Sequence, residues 1–388
     1  MAKTKKIISF SDWPKFSKKE ILVTSKVMSS GKVNYWTGSF CRKFENDFKN
    51  FFKLQNCISL ANGSVALDAA VNILNLKKND EVLVTPRSYV STASCLLSTP
   101  AKIKFVDIDI NSQNISIEKL KLAINKKTKL IICVHLAGWP CDIEKIKKII
   151  GKNQKIYIIE DCSQAHGAKI NNKYVGSMGD ISVWSFCNDK IMSTIGEGGM
   201  ISCKSKLIYK KLWAYKDCGK NYDKIFKKNK NNLFKWVHDF KGTNLRMTEA
   251  QAAVGIEQLK NLNKMINLRF KNLNFIYKNI KKNNFIYTPI IPKNIFHSGY
   301  RCYLIASNKK IRNKFISYLL SKGIDANQGS CPEIYREKRF SNFNKYKVLK
   351  NAKKLGELSI SLPSHHLISK KKLLYLVNKI NDFVSSSK

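Results

Sequence analysis

Two residues of this chain have the type and setting for covalent and electrostatic catalysis. Lys190 closes the stretch V-W-S-F-C-N-D-K (183–190) and is followed by I-M-S-T-I-G-E-G-G-M-I-S. The apolar run 181–186 reads as a buried strand and 200–203 as another, so Lys190 falls on the loop between them. Beside it, Gly196-Glu197-Gly198-Gly199 makes a loop that needs unusual backbone angles. A lysine there is expected to be partly desolvated, which lowers its pKa and makes the neutral amine a nucleophile. Read alone, it is equally one more surface lysine. The second residue is Asp161, in K-I-Y-I-I-E-D-C-S-Q-A-H-G (155–167). Residues 156–159 are β-branched and aromatic, a strand signal, and Asp161 falls just past that run, followed by Gln164 and His166. Open α/β sheets bind ligands outside the carboxyl ends of their strands. Alone, Asp161 is also a natural helix N-cap.

Together the two say more. An amine that can condense with an aldehyde, and a carboxylate that can keep a pyridine nitrogen protonated, are the groups pyridoxal phosphate needs from a protein. The elements that must position them alternate along the chain. After a short strand at 58–60, Asn62-Gly63-Ser64 opens a helix expected over 65–74. A glycine and a hydroxyl at a helix N-terminus make an anion site, here for the cofactor phosphate, although a plain N-cap explains them in isolation. Residues 81–85 form the next strand and end in Pro86-Arg87-Ser88-Tyr89. Strand and helix then alternate through 102–106, 117–124, 130–134, 143–150 and 156–159, which argues for a mainly parallel sheet flanked by helices. Upstream, a helix capped near Ser17 runs to Gly31, a loop at 31–38 holds Tyr35 and Trp36, and a phenylalanine stripe at 40, 44, 48, 51 and 52 marks a core-facing helix. Downstream, 204–235 is rich in Lys and Asn and reads as an insertion or mobile loop. A long helix follows from Thr248 to about Tyr277, then apolar runs at 300–305 and 315–320, and a last helix after 356–363, an α+β pattern.

The bulk composition narrows the class. With 388 residues, 44% of them apolar, the chain can build a large and a small domain. Its start has basic residues but no apolar run of signal-peptide length, and no stretch is long enough to span a membrane. The eleven cysteines are scattered through apolar runs with no C-x-x-C pair, which points to reduced thiols and a cytoplasmic setting rather than zinc or disulfides. No metal-ligand pattern is present. The net charge of +43 is extreme, yet only eight of 70 basic residues are arginine and the lysines run from end to end. Nucleic-acid readers lean on arginine and stacking aromatics in a recognisable module, and none is found. A positive field can still attract an anionic substrate.

Five stretches in order, A-N-G-S-V-A-L (61–67), I-E-D-C-S-Q-A-H-G (159–167), S-F-C-N-D-K (185–190), G-E-G-G (196–199) and G-T-N-L-R-M (242–247), resemble the DegT/DnrJ/EryC1/StrS family of pyridoxal-phosphate-dependent nucleotide-sugar aminotransferases. The resemblance runs from about Val33 to the C-terminus. It implies an α/β fold of fold-type I: a large domain (1–255) with a mainly parallel, seven-stranded mixed sheet, and a small C-terminal α+β domain (256–388). It implies that Lys190 carries the cofactor and moves a proton, that Asp161 pairs with the pyridine nitrogen, and that Gln164 bonds the ring hydroxyl. Tyr89 would stack on the ring, and Gly63, Ser64 and Ser185 would hold the phosphate. Asn244 would reach across a homodimer interface into the neighbouring site. Trp36, His166 and Glu197 would lie towards substrate, with packing an equal reading for Trp36 and His166. The implied substrate is a nucleotide-linked keto-sugar, of the 4-keto-6-deoxy type, with L-glutamate as donor and 2-oxoglutarate as its product, for cell-surface polysaccharide such as O-antigen. Two departures mark a subgroup and leave the sugar open: Cys187-Asn188-Asp189 replaces the more frequent aromatic-proline-threonine, and Ser64 stands where threonine is usual. Two other classes remain: a dehydratase of the same fold, whose members carry histidine in place of the lysine, and a nonenzymatic regulator or nucleic-acid binder using the basic surface.

Overall fold

The fold is that of a computed structural model, which describes residues 10, 13–151, 155–227, 234–342 and 348–386. Helix α1 (Lys18–Ser29) starts where expected: Ser17 accepts from the Glu20 N–H, and the Glu20 carboxylate accepts from the Ser17 N–H, a reciprocal cap. Helix α2 (Phe40–Phe52) buries Cys41, Phe44, Phe48 and Phe52, one residue every three or four positions, as the phenylalanine stripe predicts.

The large sheet follows. It contains β1 (Asn56–Leu60), β2 (Glu81–Val84), β3 (Lys102–Phe105), β4 (Thr128–Val134) and β5 (Tyr157–Asp161). Between them come α3 (Gly63–Asn72), the single turn α4 (Ser91–Ser94), α5 (Ile117–Ala123) and α6 (Ile143–Ile150). A small hairpin, β6 (Lys169–Ile170) and β7 (Lys173–Tyr174), precedes the strand pair β8 (Ile181–Ser185) and β9 (Gly199–Cys203). The order across the sheet is β1-β9-β8-β5-β4-β2-β3. Strands β3, β2, β4, β5 and β8 are parallel, and β9 runs antiparallel to both β8 and β1. The sheet is mixed and mostly parallel, with helices on both faces, as the alternating pattern requires.

Alternation along the strands assigns the two faces. Ile58, Val82, Val84, Ile132, Val183 and Ile201 pack towards α3. On the other face Trp184 and Met200 meet α2, with Phe48 5.1 Å from Trp184 and Phe44 5.4 Å from Phe186 between ring centroids. Each fully buried aromatic of this kind contributes about 1.5–3 kcal/mol. The stack anchors β8, whose end carries the lysine loop.

Residues 204–235 differ from their expected reading as an insertion or mobile loop. They form α7 (Lys206–Lys216), capped by Ser205, and α8 (Tyr222–Phe226); residues 228–233 lie outside the described residues. Leu212 and Trp213 of α7 are buried in the core of the large sheet, with Ile208, Tyr209 and Tyr215 packed partly against it, so the high lysine content hid a docked helix. Helix α9 (Glu249–Asn279) is the long helix, with a reciprocal cap between Thr248 and Gln251. Beyond it come β10 (Ile286–Tyr287), β11 (Ile295–Phe296), β12 (Cys302–Ala306), α10 (Lys309–Ser321), α11 (Lys350–Leu358), β13 (Ser359–Leu362) and α12 (Lys370–Ser386). Strands β10, β12 and β13 make a second, antiparallel sheet with its own core, including Leu304, Phe315, Ile360 and Leu376. Ile334, Phe340 and Leu355 pack instead into the core of the large sheet. No helix among the described residues is long and apolar enough to cross a membrane.

Candidate active site

The parallel strands bring their carboxyl ends to one edge, and most of the singled-out residues converge there. A cavity of about 430 Å³ is lined by Gly63, Ser64, Tyr89, Asp161, Gln164, Ser185, Lys190 and Glu197, drawn from the ends of β1, β2, β5, β8 and the loop before β9. A second hollow of about 360 Å³ shares Tyr89, Gln164 and Lys190 and adds Tyr300, Arg301 and Ser330 from the C-terminal part. Trp36, His166 and Asn244 line neither. Trp36 packs at right angles to Tyr35 and Trp213, with the Lys220 ammonium 4.4 Å from its ring. Asn244 is exposed, in a bridge with Asp217. His166 is fully buried with Phe186 5.6 Å away; burial first, then the Lys190 and Arg269 charges, push it down to about 3, so the ring is neutral.

Asp161 is the last residue of β5, and its carboxylate is only 4% exposed. One oxygen accepts from the Thr92 hydroxyl at 2.8 Å and the other from the Ser163 N–H at 3.1 Å. Next door, Glu160 accepts from His135 Nε2 (3.0 Å) and from the N–H groups of Gly176, Met178 and Gly179, which pins the strand end. A buried carboxylate without a cation is costly. Among the described residues no basic side chain forms an ion pair with Asp161, and it lines the cavity, so a protonated ring nitrogen is a partner of the right charge. Gln164 gives its carboxamide oxygen to the Ala137 N–H at 3.0 Å, which leaves Nε2 as the donor.

At the other end of the cavity lies the start of α3. Asn62 caps it by accepting from the Val65 N–H, so the helix begins at Gly63, two residues earlier than the sequence reading had it. Ser64 therefore lies within the first turn, its hydroxyl 2.7 Å from that of Ser91. Free N–H groups and the positive helix end suit a phosphate. A Cβ on Gly63 would sit 2.6 Å from Ser185 Cβ, so only glycine lets α3 and β8 close up into this cradle. The donor set thus fits pyridoxal phosphate at both its anionic and its cationic end. Gly63→Val will force the two elements apart, at about 1–3 kcal/mol. A lower melting temperature with loss of bound cofactor absorbance is the expected result; full cofactor content would mean that this cradle does not hold the phosphate.

Lys190 lies on the β8–β9 loop with its side chain 14% exposed. Gly196 takes φ +90 there, as the glycine cluster suggested. The Lys190 carbonyl accepts from the Trp13 indole N–H at 2.8 Å, and the Trp13 ring is edge-on to His366 at 4.6 Å. The sequence reading expected a lowered amine pKa, and the structure corrects it. Burial does act to lower it, but Tyr300 and Asp189 outweigh burial and hold the amine above the ordinary lysine value. The sequence reading also missed Trp13, Thr92, Asp189, Tyr300 and Arg301 as neighbours of the site. Tyr300 and Arg301 opened an apolar run that signalled a strand and nothing more.

Known proteins share this fold. The profile of the DegT/DnrJ/EryC1/StrS aminotransferase family matches residues 14–381. GDP-perosamine synthase of Escherichia coli O157:H7 is 32% identical over 348 residues, 90% of this chain and 91% of that protein. The crystal structure of an aminotransferase from Psychrobacter cryohalolentis superposes with a TM-score of 0.94 at 36% identity, covering 97% of this chain and 99% of that one. The GDP-4-keto-6-deoxy-D-mannose-3-dehydratase of E. coli, solved with bound hydrated pyridoxal phosphate, gives 0.85 at 26% identity over 97% and 98%. With four of its five family stretches lining one cavity and the match running through almost its whole length, the chain belongs to the DegT/DnrJ/EryC1/StrS aminotransferase family and works with pyridoxal phosphate.

Proposed function

We propose that the protein transfers an amino group from L-glutamate to a nucleotide-linked 4-keto-6-deoxy sugar, in the cytoplasm, for cell-surface polysaccharide such as O-antigen. The observation that carries this is Lys190 and Asp161 on one cavity, with the start of α3 at its edge. The perosamine synthase likeness supports the sugar class, and eleven unpaired thiols support a reducing compartment. Lysine rather than histidine on the β8–β9 loop favours amination over the dehydratase reading.

Bound pyridoxal phosphate supplies an electron sink beside the reacting carbon. Lys190 holds the cofactor covalently and, once released, takes a proton from the donor carbon and returns one as an acid. Asp161 keeps the ring nitrogen protonated, and Gln164 Nε2 bonds the ring hydroxyl. Gly63, Ser64 and Ser185 hold the phosphate, and Tyr89 covers the ring. Glu197, exposed at the rim, is the rim residue that meets substrate. In this reading the chain divides at 255/256 within α9, and the antiparallel sheet belongs to the smaller part. A screen of nucleotide keto-sugars with glutamate, read by mass, tests it. Exchange of the ketone oxygen for an amine is expected; loss of a sugar oxygen without amination would favour the dehydratase.

Asn244 completes the site from a second copy of the chain. Its segment borders an open, partly apolar hollow of about 770 Å³ that includes Leu76, Tyr215, Tyr222 and Phe240, a surface suited to burial in a dimer. Inactive Lys190→Ala protein mixed with inactive Asn244→Ala protein is then expected to regain activity on subunit exchange. One heterodimer site holds both residues, so up to about half of the normal sites per heterodimer return. A fully active Asn244→Ala protein would remove the shared site.

A further inference from the structure

Beside Lys190 stands a cluster that the reaction as described does not use. Asp189 and the pair Tyr300-Arg301 are more than a hundred positions apart and meet at the lysine amine. The Tyr300 hydroxyl donates to Asp189 Oδ2. Arg301 Nη2 donates to the same oxygen at 2.9 Å and lies 3.4 Å from the tyrosine hydroxyl. Lys190 Nζ donates to the Tyr300 hydroxyl at 3.3 Å and is 3.4 Å from Asp189 Oδ1. The pair is fixed from behind. Arg301 N–H donates to the Ala137 carbonyl at 3.2 Å, and Ala137 in turn holds Gln164. Ser298 N–H donates to the Gly138 carbonyl, so the 136–138 turn joins this cluster to the cavity wall.

We propose that Asp189 and Tyr300 are positioning residues for Lys190. They grip its amine whenever it is not covalently engaged, while Arg301 holds the carboxylate, so that the proton Lys190 takes up is kept near the reacting carbon until it is returned. The inference rests on the reading that Lys190 carries the cofactor. A long, flexible side chain released from a covalent bond loses its orientation unless something holds it. Two oxygens at 3.3 and 3.4 Å do so here. The proton balance is closed: one proton moves from the substrate carbon to Nζ, giving an ammonium, and one leaves Nζ for carbon, restoring the amine. Arg301 matters because Asp189 shared with a guanidinium grips the ammonium more loosely than a carboxylate left to it alone, so the proton can still depart. Among the described residues, other titratable or charged groups around the amine include Cys187 on its own loop, the neutral His166, and Asp161 and Glu197 on the same cavity, with Arg269 near Asp189 and Tyr300. Asp189 also stands where the resembling family more often has threonine, so the grip belongs to this chain's departure from the common pattern.

The test reads the amine directly. Full-length protein freed of cofactor by hydroxylamine dialysis is labelled with trace acetic anhydride over a range of pH, and the Lys190 peptide is quantified against the other lysine peptides of the same digest. Label enters only the neutral amine. Asp189→Asn removes the charge but keeps the shape, and should move the Lys190 labelling curve to lower pH by about one unit, roughly tenfold more label at neutral pH. Tyr300→Phe should move it the same way by less. Arg301→Gln frees Asp189 for the lysine and should move the curve to higher pH. General loosening of the fold would raise labelling in all three, so the opposite sign of the arginine variant is the discriminating result. Curves unchanged in both Asp189→Asn and Tyr300→Phe, or all three variants shifted to lower pH, overturn the grip. The cofactor reading is tested separately, by borohydride trapping in the loaded enzyme, and either result can fail without the other.

Discussion

Lys190→Ala protein will turn over on the order of 10⁴-fold more slowly than the native enzyme, the upper range for loss of a positioned acid–base group, because in the proposed mechanism one side chain performs both tasks in this site. There it anchors the cofactor, and it moves the proton. The variant should fold. Among the described residues the side chain makes polar contact only with Asp189 and Tyr300, and the backbone is held independently by the Trp13 indole and by the Lys190 N–H donating to the Cys187 carbonyl at 3.1 Å. The measurement has two parts. Borohydride reduction of the native enzyme should attach the cofactor to the peptide containing Lys190, and the alanine variant should show no fixed label and no absorbance of the bound, covalently held cofactor. Label on another lysine would move the assignment off this loop. Retained turnover in Lys190→Ala would do the same, and would reopen the dehydratase reading, in which a lysine is not needed.

What the sequence makes legible follows from how local each signal is. The cap at Ser17 needs only Ser17 and Glu20, three residues apart, and it is read correctly. The phenylalanine stripe of α2 needs thirteen residues in a row. Asp161 and Lys190 are legible because strand ends in parallel sheets gather at one edge, and each follows a strand that can be recognised from its own residues. Apart from Asp189, the chain neighbour of Lys190, the missed contacts are long-range. Thr92 reaches Asp161 across 69 positions, Trp13 reaches Lys190 across 177, and Tyr300 reaches Asp189 across 111. Nothing in an apolar run announces that its first tyrosine will meet a lysine from another part of the chain. The amine pKa goes wrong for the same reason. Burial was readable and acts in the expected direction, but the nearby oxygens that reverse it come from a remote segment and from a neighbour whose side-chain direction only the fold decides. Helix α7 is a failure of another kind. Its apolar residues are present in the sequence, but the Lys- and Asn-rich composition around them hides the helix they form.

Asp161→Asn is the second large effect, and it separates electrostatics from structure. The amide has nearly the shape of the carboxylate. Its oxygen can still accept from the Ser163 N–H, and its nitrogen can donate to the Thr92 hydroxyl, which rotates to suit. Folding should therefore survive, and the loss of a buried charge relieves a desolvation cost that, in the proposed arrangement, the cofactor's cationic nitrogen offsets. Cofactor can still attach, because Lys190 and the α3 cradle are untouched. What disappears is the negative charge proposed to keep the ring nitrogen protonated while electron density flows towards it. Loss of one preorganised electrostatic partner lowers kcat by about 10² to 10³. The expected outcome is a folded protein with near-normal melting temperature, normal borohydride labelling at Lys190, and kcat reduced by two to three powers of ten, with a much smaller change in KM for the sugar, which this carboxylate does not touch in the proposed arrangement. Near-native kcat in a fully loaded variant would reduce Asp161 to an acceptor for Thr92 and Ser163 and leave the ring nitrogen without its partner. A collapse in stability with little loss in turnover per folded molecule would lead to the same conclusion by a different route, since the charge would then serve the end of β5 rather than the chemistry.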